Sequence, residues 1–483
     1  MSARLHRGCL GAVAILLALA AVTLLLCLAP VDNTPFFHTP YFSNTVARLP
    51  AATAPAHRTA APLSAGFGRA SLTPTAGTNT ATPDTPRAAT LPLAGYGSRR
   101  GQPATGIHDH LWCRSVALKT DHDAVVFVTA DALIIPREIA ESTRRLLANL
   151  PGLRPDQIYF GATHTHAGPG GWGRGWVQEA FAGPFQPGVP DWFAACLARA
   201  VQEAWKDLTP ATLAVDTLHA PEFVRNRLVG NLGTVDDEFS WIAIRQADGD
   251  LGILGAYAAH ATVLSSRIME FSGDYPGAWS RTLEEATGGL AAFFAGGVGS
   301  HSPQPRGSGF AAAQDMGATL AGRILERLPH LRFTPSLVLE GRQLEVDLPT
   351  PHVRLTDSLR LRPFLARRLV PVPRSTTLTA VRIGDCYWFG VPADYSGESA
   401  LRLKDHLRAR SALAVPTSFA GDYLGYLIPS RYYHLDGYEP RLMSFFGPTA
   451  ADYFEDLLIR LGRHLGVPRS QDNPDPPGAH PEA

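Results

Sequence analysis

Apolar and polar positions divide the chain into regions of different periodicity. Residues 8–31 carry no charged side chain, are mostly Leu, Ala and Val, and follow Arg4 and Arg7. A run of that length crosses a bilayer and exceeds the apolar part of a usual export signal, so residues 1–31 are expected to form one N-terminal transmembrane signal anchor. A cleaved signal peptide is the alternative. The basic flank stays inside, which places the rest of the chain on the periplasmic or extracellular side, tethered or secreted. Residues 32–61 are rich in Pro, Thr and Ala without apolar spacing, and read as a linker of low order.

From 62 to 467 strand and helix patterns alternate. Strands are expected at 112–119, 123–129, 157–163, 211–217, 238–246, 251–259, 291–298, 336–347, 376–383 and 386–391. Helices are expected at 136–149, 191–206, 276–287, 311–328, 397–410 and 448–465; in the second of these Trp192, Cys196, Ala200 and Trp205 recur at helical spacing. Such mixing predicts an α/β layered domain built on a mixed sheet. No internal sequence repeat is visible. Residues 468–483, rich in Asp, Pro and Gly, read as a disordered tail.

Composition narrows the function classes. The 483 residues are 45% apolar, with 43 basic and 43 acidic side chains, which gives no basic face for nucleic acid. Five cysteines (Cys9, Cys27, Cys113, Cys196 and Cys386) show no metal or redox spacing, and the last three allow at most one disulfide.

Candidate chemistry centres on the stretch 161–171, GATHTHAGPGG, which follows the strand-like run Asp156 to Phe160. Residues two apart on a strand share a face, so His164 and His166 can project together from its end. Two imidazoles at this spacing suit a divalent metal such as zinc if further ligands come from elsewhere. His260 ends the apolar run Leu251–Ala259; a lone histidine there is more often a hydrogen-bonded core residue.

THTH followed by a GPGG turn resembles the neutral (non-lysosomal) ceramidase family, in which this segment supplies a zinc ligand. The likeness continues in unchanged order from about 62 to about 463. It includes Ala65–Pro74, Leu93–Gly97 with Gly106–Asp109, Asn226-Arg227, and His260 followed by Ser272–Gly277. The loop Gly297–Gln304 (GVGSHSPQ) stands where the family has Asn-x-Gly-Asp-x-Ser-Pro-Asn, so Gly299, Ser302 and Pro303 match, while Gly297, Ser300 and Gln304 replace the asparagines and the aspartate. Asp394, in VPADYSGE, falls at the family's zinc-binding glutamate, one methylene shorter, with Glu398 as the fallback carboxylate. Tyr426 and Tyr438 keep the twelve-residue separation of two functional tyrosines.

The resemblance implies a catalytic domain of neutral ceramidase type over 62–467, without the family's C-terminal immunoglobulin-like domain. It implies one Zn2+ per chain, held by His164, His260, Asp394 and Tyr426, and Ser302 as nucleophile. Tyr438 would stabilise the oxyanion, while His166 and Arg227 would position a lipid-like N-acyl substrate. The reaction expected is hydrolysis of the amide of ceramide or a related N-acyl lipid. Two rival readings are a metal hydrolase using activated water on another amide or ester, with Ser302 structural, and a non-catalytic lipid- or glycan-binding relative.

Overall fold

Every residue of the strand Ala124–Ala130, AVVFVTA, is buried, as β-branched and aromatic residues between two packed layers require. This strand belongs to the larger of two sheets in the computed structural model, which describes residues 26–52, 59–75, 85–370 and 372–467, together with Ile15, Leu16 and Val22. The eight strands of that sheet are β1 (Ser64–Ser71), β2 (Trp112–Lys119), β3 (Ala124–Ala130), β4 (Ile158–Ala162), β5 (Thr209–His219), β6 (Glu238–Gln246), β7 (Leu251–Tyr257) and β8 (Leu290–Ala295). Their order across the sheet is β8-β7-β6-β5-β1-β2-β3-β4. The second sheet takes β9 (Leu339–Asp347), β10 (Ser375–Ile383), β11 (Cys386–Gly390) and β12 (Leu413–Thr417) in sequence order.

The two sheets pack through Val116, Phe127, Tyr159, Phe294, Val381, Trp388 and Val415. Helices cover both outer faces: α1 (Pro40–Ala52), α2 (Arg137–Leu147), α3 (Val189–Lys206), α4 (Asp274–Thr287), α5 (Gly309–Arg327), α6 (Gly397–Arg408) and α7 (Ala450–His464). The expected α/β layering is present, and the ends of α2–α7 lie within two residues of their predicted limits.

A repetition invisible in the sequence emerges here. In β1–β4, in β5–β8 and in β9–β12, three successive strands pair antiparallel, a helix follows, and the fourth strand pairs parallel with the third. A second helix closes each unit: α3, α5 and α7. The hydrophobic patterns differ because each unit meets different neighbours, so only topology reveals the match.

Units one and two join through Ser64↔Pro210 and Ala65↔Thr209. Beyond that point the strands diverge, and two carboxylates replace the missing ladder: Asp207 accepts from the Phe67 N–H at 2.8 Å and Glu203 from the Arg69 N–H at 3.2 Å.

Three regions differ from expectation. Within the stretch read as a linker, Pro40–Ala52 is a helix that buries Phe42, Thr45 and Leu49. Its stripe at 42, 45–46 and 49 has helical spacing, masked by Pro/Thr/Ala composition. The anchor expected over 8–31 lies mostly outside the described residues; its end, Leu28–Pro30, is a strand paired with Leu359–Leu361 rather than helix. Among the described residues no helix is long and apolar enough to cross a membrane. The strand β12 contains Pro416 and was not expected; it occupies a sheet edge, where a missing N–H costs no ladder bond. The tail 468–483 also lies outside the described residues.

Phe42→Ala should lower stability by about 3 kcal/mol, as removal of a buried aromatic ring does, while exposed Ser43→Ala should change it by less than about 0.5 kcal/mol. Denaturant unfolding checks this, and equal small effects would mean α1 is not docked.

Candidate metal centre

The loops after the third strands of all three units, and after the fourth strands of units one and three, line one cavity of about 560 Å3. Unit one contributes His164, two residues beyond β4. Its backbone is left-handed (φ 62°), a conformation that costs a β-carbon-bearing residue about 1 kcal/mol. It aims the ring inward, where Phe419 stacks on it at 4.0 Å and 10°. Phe419 stands two residues beyond β12 and is left-handed as well (φ 63°). Unit two contributes His260, three residues beyond β7. Tyr275 donates to the carbonyl of Ala259, and buried Asp274 accepts from the Leu264 N–H at 3.0 Å, so both sides of His260 are tied to α4. Unit three contributes Asp394, four residues beyond β11.

His164 Nδ1 lies 2.7 Å from the Leu133 carbonyl and His260 Nδ1 3.3 Å from the Val298 carbonyl. A carbonyl only accepts, so both Nδ1 atoms carry the proton and both Nε2 atoms present lone pairs. Those Nε2 atoms are 2.8 Å apart, and His166 Nε2 lies 3.3 Å from the first and 3.0 Å from the second. Burial holds His164 down to about 3 and pushes His166 and His260 well below the usual imidazole value. At neutral pH no proton relieves the convergence. Three buried nitrogen lone pairs aimed at one point are the donor set of a divalent cation, and His164, His166 and His260 form such a group.

Asp394 Oδ1 sits 3.7 Å from His164 Nε2 and has no hydrogen-bond partner, while Oδ2 accepts from Tyr423 at 2.9 Å. Burial pushes this carboxyl up to about 7 against the pull of Arg227. An uncompensated buried carboxylate of this kind is costly, and a cation among the imidazoles would restore its charge. Arg227 donates to the Tyr426 hydroxyl and to the Gly299 carbonyl, each at 3.2 Å, and pairs with Glu439 at 3.0 Å. Burial raises the Tyr438 hydroxyl to about 12 at the cavity mouth.

His164, His166, His260, Arg227, Asp394, Tyr426 and Tyr438 therefore line one cavity. Two placements differ from expectation. His166, expected at the substrate, turns its Nε2 into the imidazole cluster. Ser302, expected as nucleophile, is not among the lining residues; the short strand His301–Pro303 pairs with Val224–Asn226, Ser302 opposite Arg225, and its hydroxyl accepts from Arg225 Nε at 3.1 Å. Ser300 is also engaged, bonding Ser396 Oγ at 3.0 Å and the Gly397 N–H at 3.1 Å. Glu398, the fallback carboxylate, is buried away from the histidines, accepting from Asn226 at 2.9 Å and Arg431 at 2.9 Å.

Sequence reasoning gave no role to Tyr423 or to Arg99. Arg99 is buried and donates to the carbonyls of Ala94, His166, Ser266 and Ile268. No local signal marks a buried arginine whose partners are main-chain oxygens.

Residues 83–315 match the family described as neutral/alkaline non-lysosomal ceramidase, N-terminal. The chain is 26% identical over 238 residues to the neutral ceramidase of Pseudomonas aeruginosa, covering 45% of this chain and 35% of that protein. It is 27% identical over 224 residues to the neutral ceramidase of Mycobacterium tuberculosis, covering 41% and 34%. It thus spans about a third of the length of the curated relatives it matches. The fold is similar to the crystal structure of neutral ceramidase from Pseudomonas aeruginosa, with TM-score 0.69 and 20% identity over 86% of this chain and 77% of that one. A ceramidase complexed with C2 aligns with the same TM-score at 21% identity.

Purified protein should take up about one divalent cation per chain. His166→Ala should weaken that affinity by about 100-fold, whereas Ser302→Ala should leave it unchanged. Calorimetric titration with Zn2+ or Co2+ measures both; undiminished affinity in His166→Ala would remove His166 from the ligand set.

Proposed function

We propose a function for this chain, which belongs to the neutral/alkaline non-lysosomal ceramidase family: hydrolysis of the amide bond of ceramide or a related N-acyl lipid, at one zinc ion held by His164, His166 and His260. The observation that carries this reading is the convergence of three unprotonated Nε2 atoms beside a carboxylate oxygen, Asp394 Oδ1, that has no hydrogen-bond partner. The cavity around them is lined by apolar Leu133, Ile134, Phe181 and Met443 and by hydroxyl-bearing Ser98, Thr262, Ser265 and Ser266. A lining of both kinds suits an acyl chain joined to a polar, hydroxyl-bearing amine.

Held by His164, His166 and His260, a zinc ion would supply a Lewis acid that polarises a carbonyl and eases deprotonation of water. The remaining work falls to side chains. Asp394 Oδ1 takes the proton of the attacking water as the water oxygen bonds to the carbonyl carbon. It then delivers that proton to the amide nitrogen as the C–N bond breaks, giving a fatty acid and an amine. Tyr423 fixes the other carboxylate oxygen and so sets the direction of Oδ1. Tyr438 keeps its proton at neutral pH and donates to the carbonyl oxygen as negative charge builds there. Arg227 orients Tyr426 and supplies positive charge to the same wall. Ser302, held by Arg225, takes no part in bond making.

Chelation should abolish turnover of a fluorescent N-acyl sphingosine, and added Zn2+ should restore it. Asp394→Asn should keep the metal while turnover falls about 100-fold or more; loss of the metal with turnover would instead make Asp394 a ligand. Ser302→Ala should retain activity within about threefold. A drop on the order of 1000-fold, as expected for a lost nucleophile, would overturn the water mechanism.

A further inference from the structure

Beyond residue 31, the exposed large apolar side chains are unevenly placed. Leu146, Trp176 and Leu232 come from separate parts of the chain, but Leu355, Leu359, Phe364, Leu369, Leu435 and Leu442 come from two segments, with Phe364 63% and Leu442 64% exposed. Arg354 ties those segments together by donating to the carbonyls of Leu435 and Pro440 at 3.3 and 3.2 Å, and Arg441 pairs with Asp357 at 3.3 Å. Tyr438, half-exposed at the cavity mouth, belongs to the second segment.

The same face is where the N-terminal apolar segment joins the domain. The strand Leu28–Pro30 pairs antiparallel with Leu359–Leu361, and the Cys27 carbonyl accepts from the Arg362 N–H at 2.8 Å, at the start of the helix Pro363–Leu369. That short helix exposes Phe364 and Leu369 together with Arg367 and Arg368. From 358 to 369 the chain carries Arg360, Arg362, Arg367 and Arg368 and no Asp or Glu. Of the acids in these segments and the strand beside them, Asp357 and Asp436 share Arg441, Glu439 pairs with Arg227, and Asp32 with Arg360.

We propose that the face formed by residues 355–369 and 435–442 docks on a bilayer surface bearing anionic headgroups. Apolar side chains interleaved with arginine are the composition of an element lying at a lipid interface, and the arginine excess selects negative headgroups. The apolar segment ending at Cys27 leads to the same edge, so a chain tethered by it meets the membrane with this face. Docking there brings the cavity mouth at Tyr438 to the lipid. This inference rests on the exposed side chains and stands apart from the hydrolytic reading.

Hydrogen exchange of the full chain tests it, in neutral detergent micelles, on phosphatidylcholine vesicles, and on phosphatidylcholine vesicles containing phosphatidylglycerol. Amides of 355–369 and 435–442 should exchange at least about tenfold more slowly on the phosphatidylglycerol vesicles than in micelles, and more slowly than on phosphatidylcholine alone. Phe364→Asp with Leu369→Asp should abolish that protection with unchanged metal content and thermal midpoint. Exchange unaffected by vesicles would overturn the proposal. So would equal protection in micelles that the double variant does not alter, which would assign the face to residues 8–25 of the chain itself. Because no turnover is read, failure of the hydrolytic reading leaves this result interpretable.

Discussion

Two backbone carbonyls, those of Leu133 and Val298, set the chemistry of this protein. Each accepts the Nδ1–H of one imidazole and so leaves the opposite nitrogen of His164 or His260 as a bare lone pair on a buried ring. Burial keeps those lone pairs unprotonated, and His166 adds a third. Without a cation the arrangement is electrostatically unfavourable. The neighbouring carboxyl of Asp394, with one oxygen left unpartnered, is unfavourable for the same reason. Both problems have one solution, and the rest of the site is arranged around it.

The three-unit topology explains why the components lie so far apart in the chain. Each unit brings loops from the ends of its later strands to the shared cavity, as ligand sites of α/β sheets gather at the carboxyl ends of strands. Unit one gives His164 and the Leu133 carbonyl; unit two gives His260 and the Val298 carbonyl; unit three gives Asp394, Phe419 and Tyr423. The connections between first and second strands add Arg99 in unit one and Arg227 in unit two. The stacking of His164 on Phe419 joins equivalent positions of two units, both left-handed.

Much of this is legible in the sequence. Alternation and helical spacing locate the body strands and helices, because each buries a face against a neighbour and the pattern follows directly. His164 stands out by its spacing from His166, while His260, Asp394, Tyr426 and Tyr438 stand out only through the resemblance to the family's motifs; all five line one cavity. What could not be read depends on long-range contact. Helix α1 hides its apolar stripe in a Pro/Thr/Ala background. Which way Ser302 faces is fixed by register against Arg225, and the inward turn of His166 by packing beside Tyr96, at 4.6 Å between ring centres. The threefold recurrence of strand order has no sequence signature at all, since pairing direction constrains topology without constraining residue type.

One consequence of the shared cavity reaches beyond chemistry. The imidazoles come from units one and two, so a cation would be held only when those two are seated against each other, with the carboxylate of the third unit beside it. By mass action, whatever occupies that point favours the seated arrangement over any in which one unit has loosened, by an amount that grows with the logarithm of its free concentration. An ion at that point would then act as a latch on the docking of units within a single polypeptide. Metal supply would thereby govern how long the assembled chain persists.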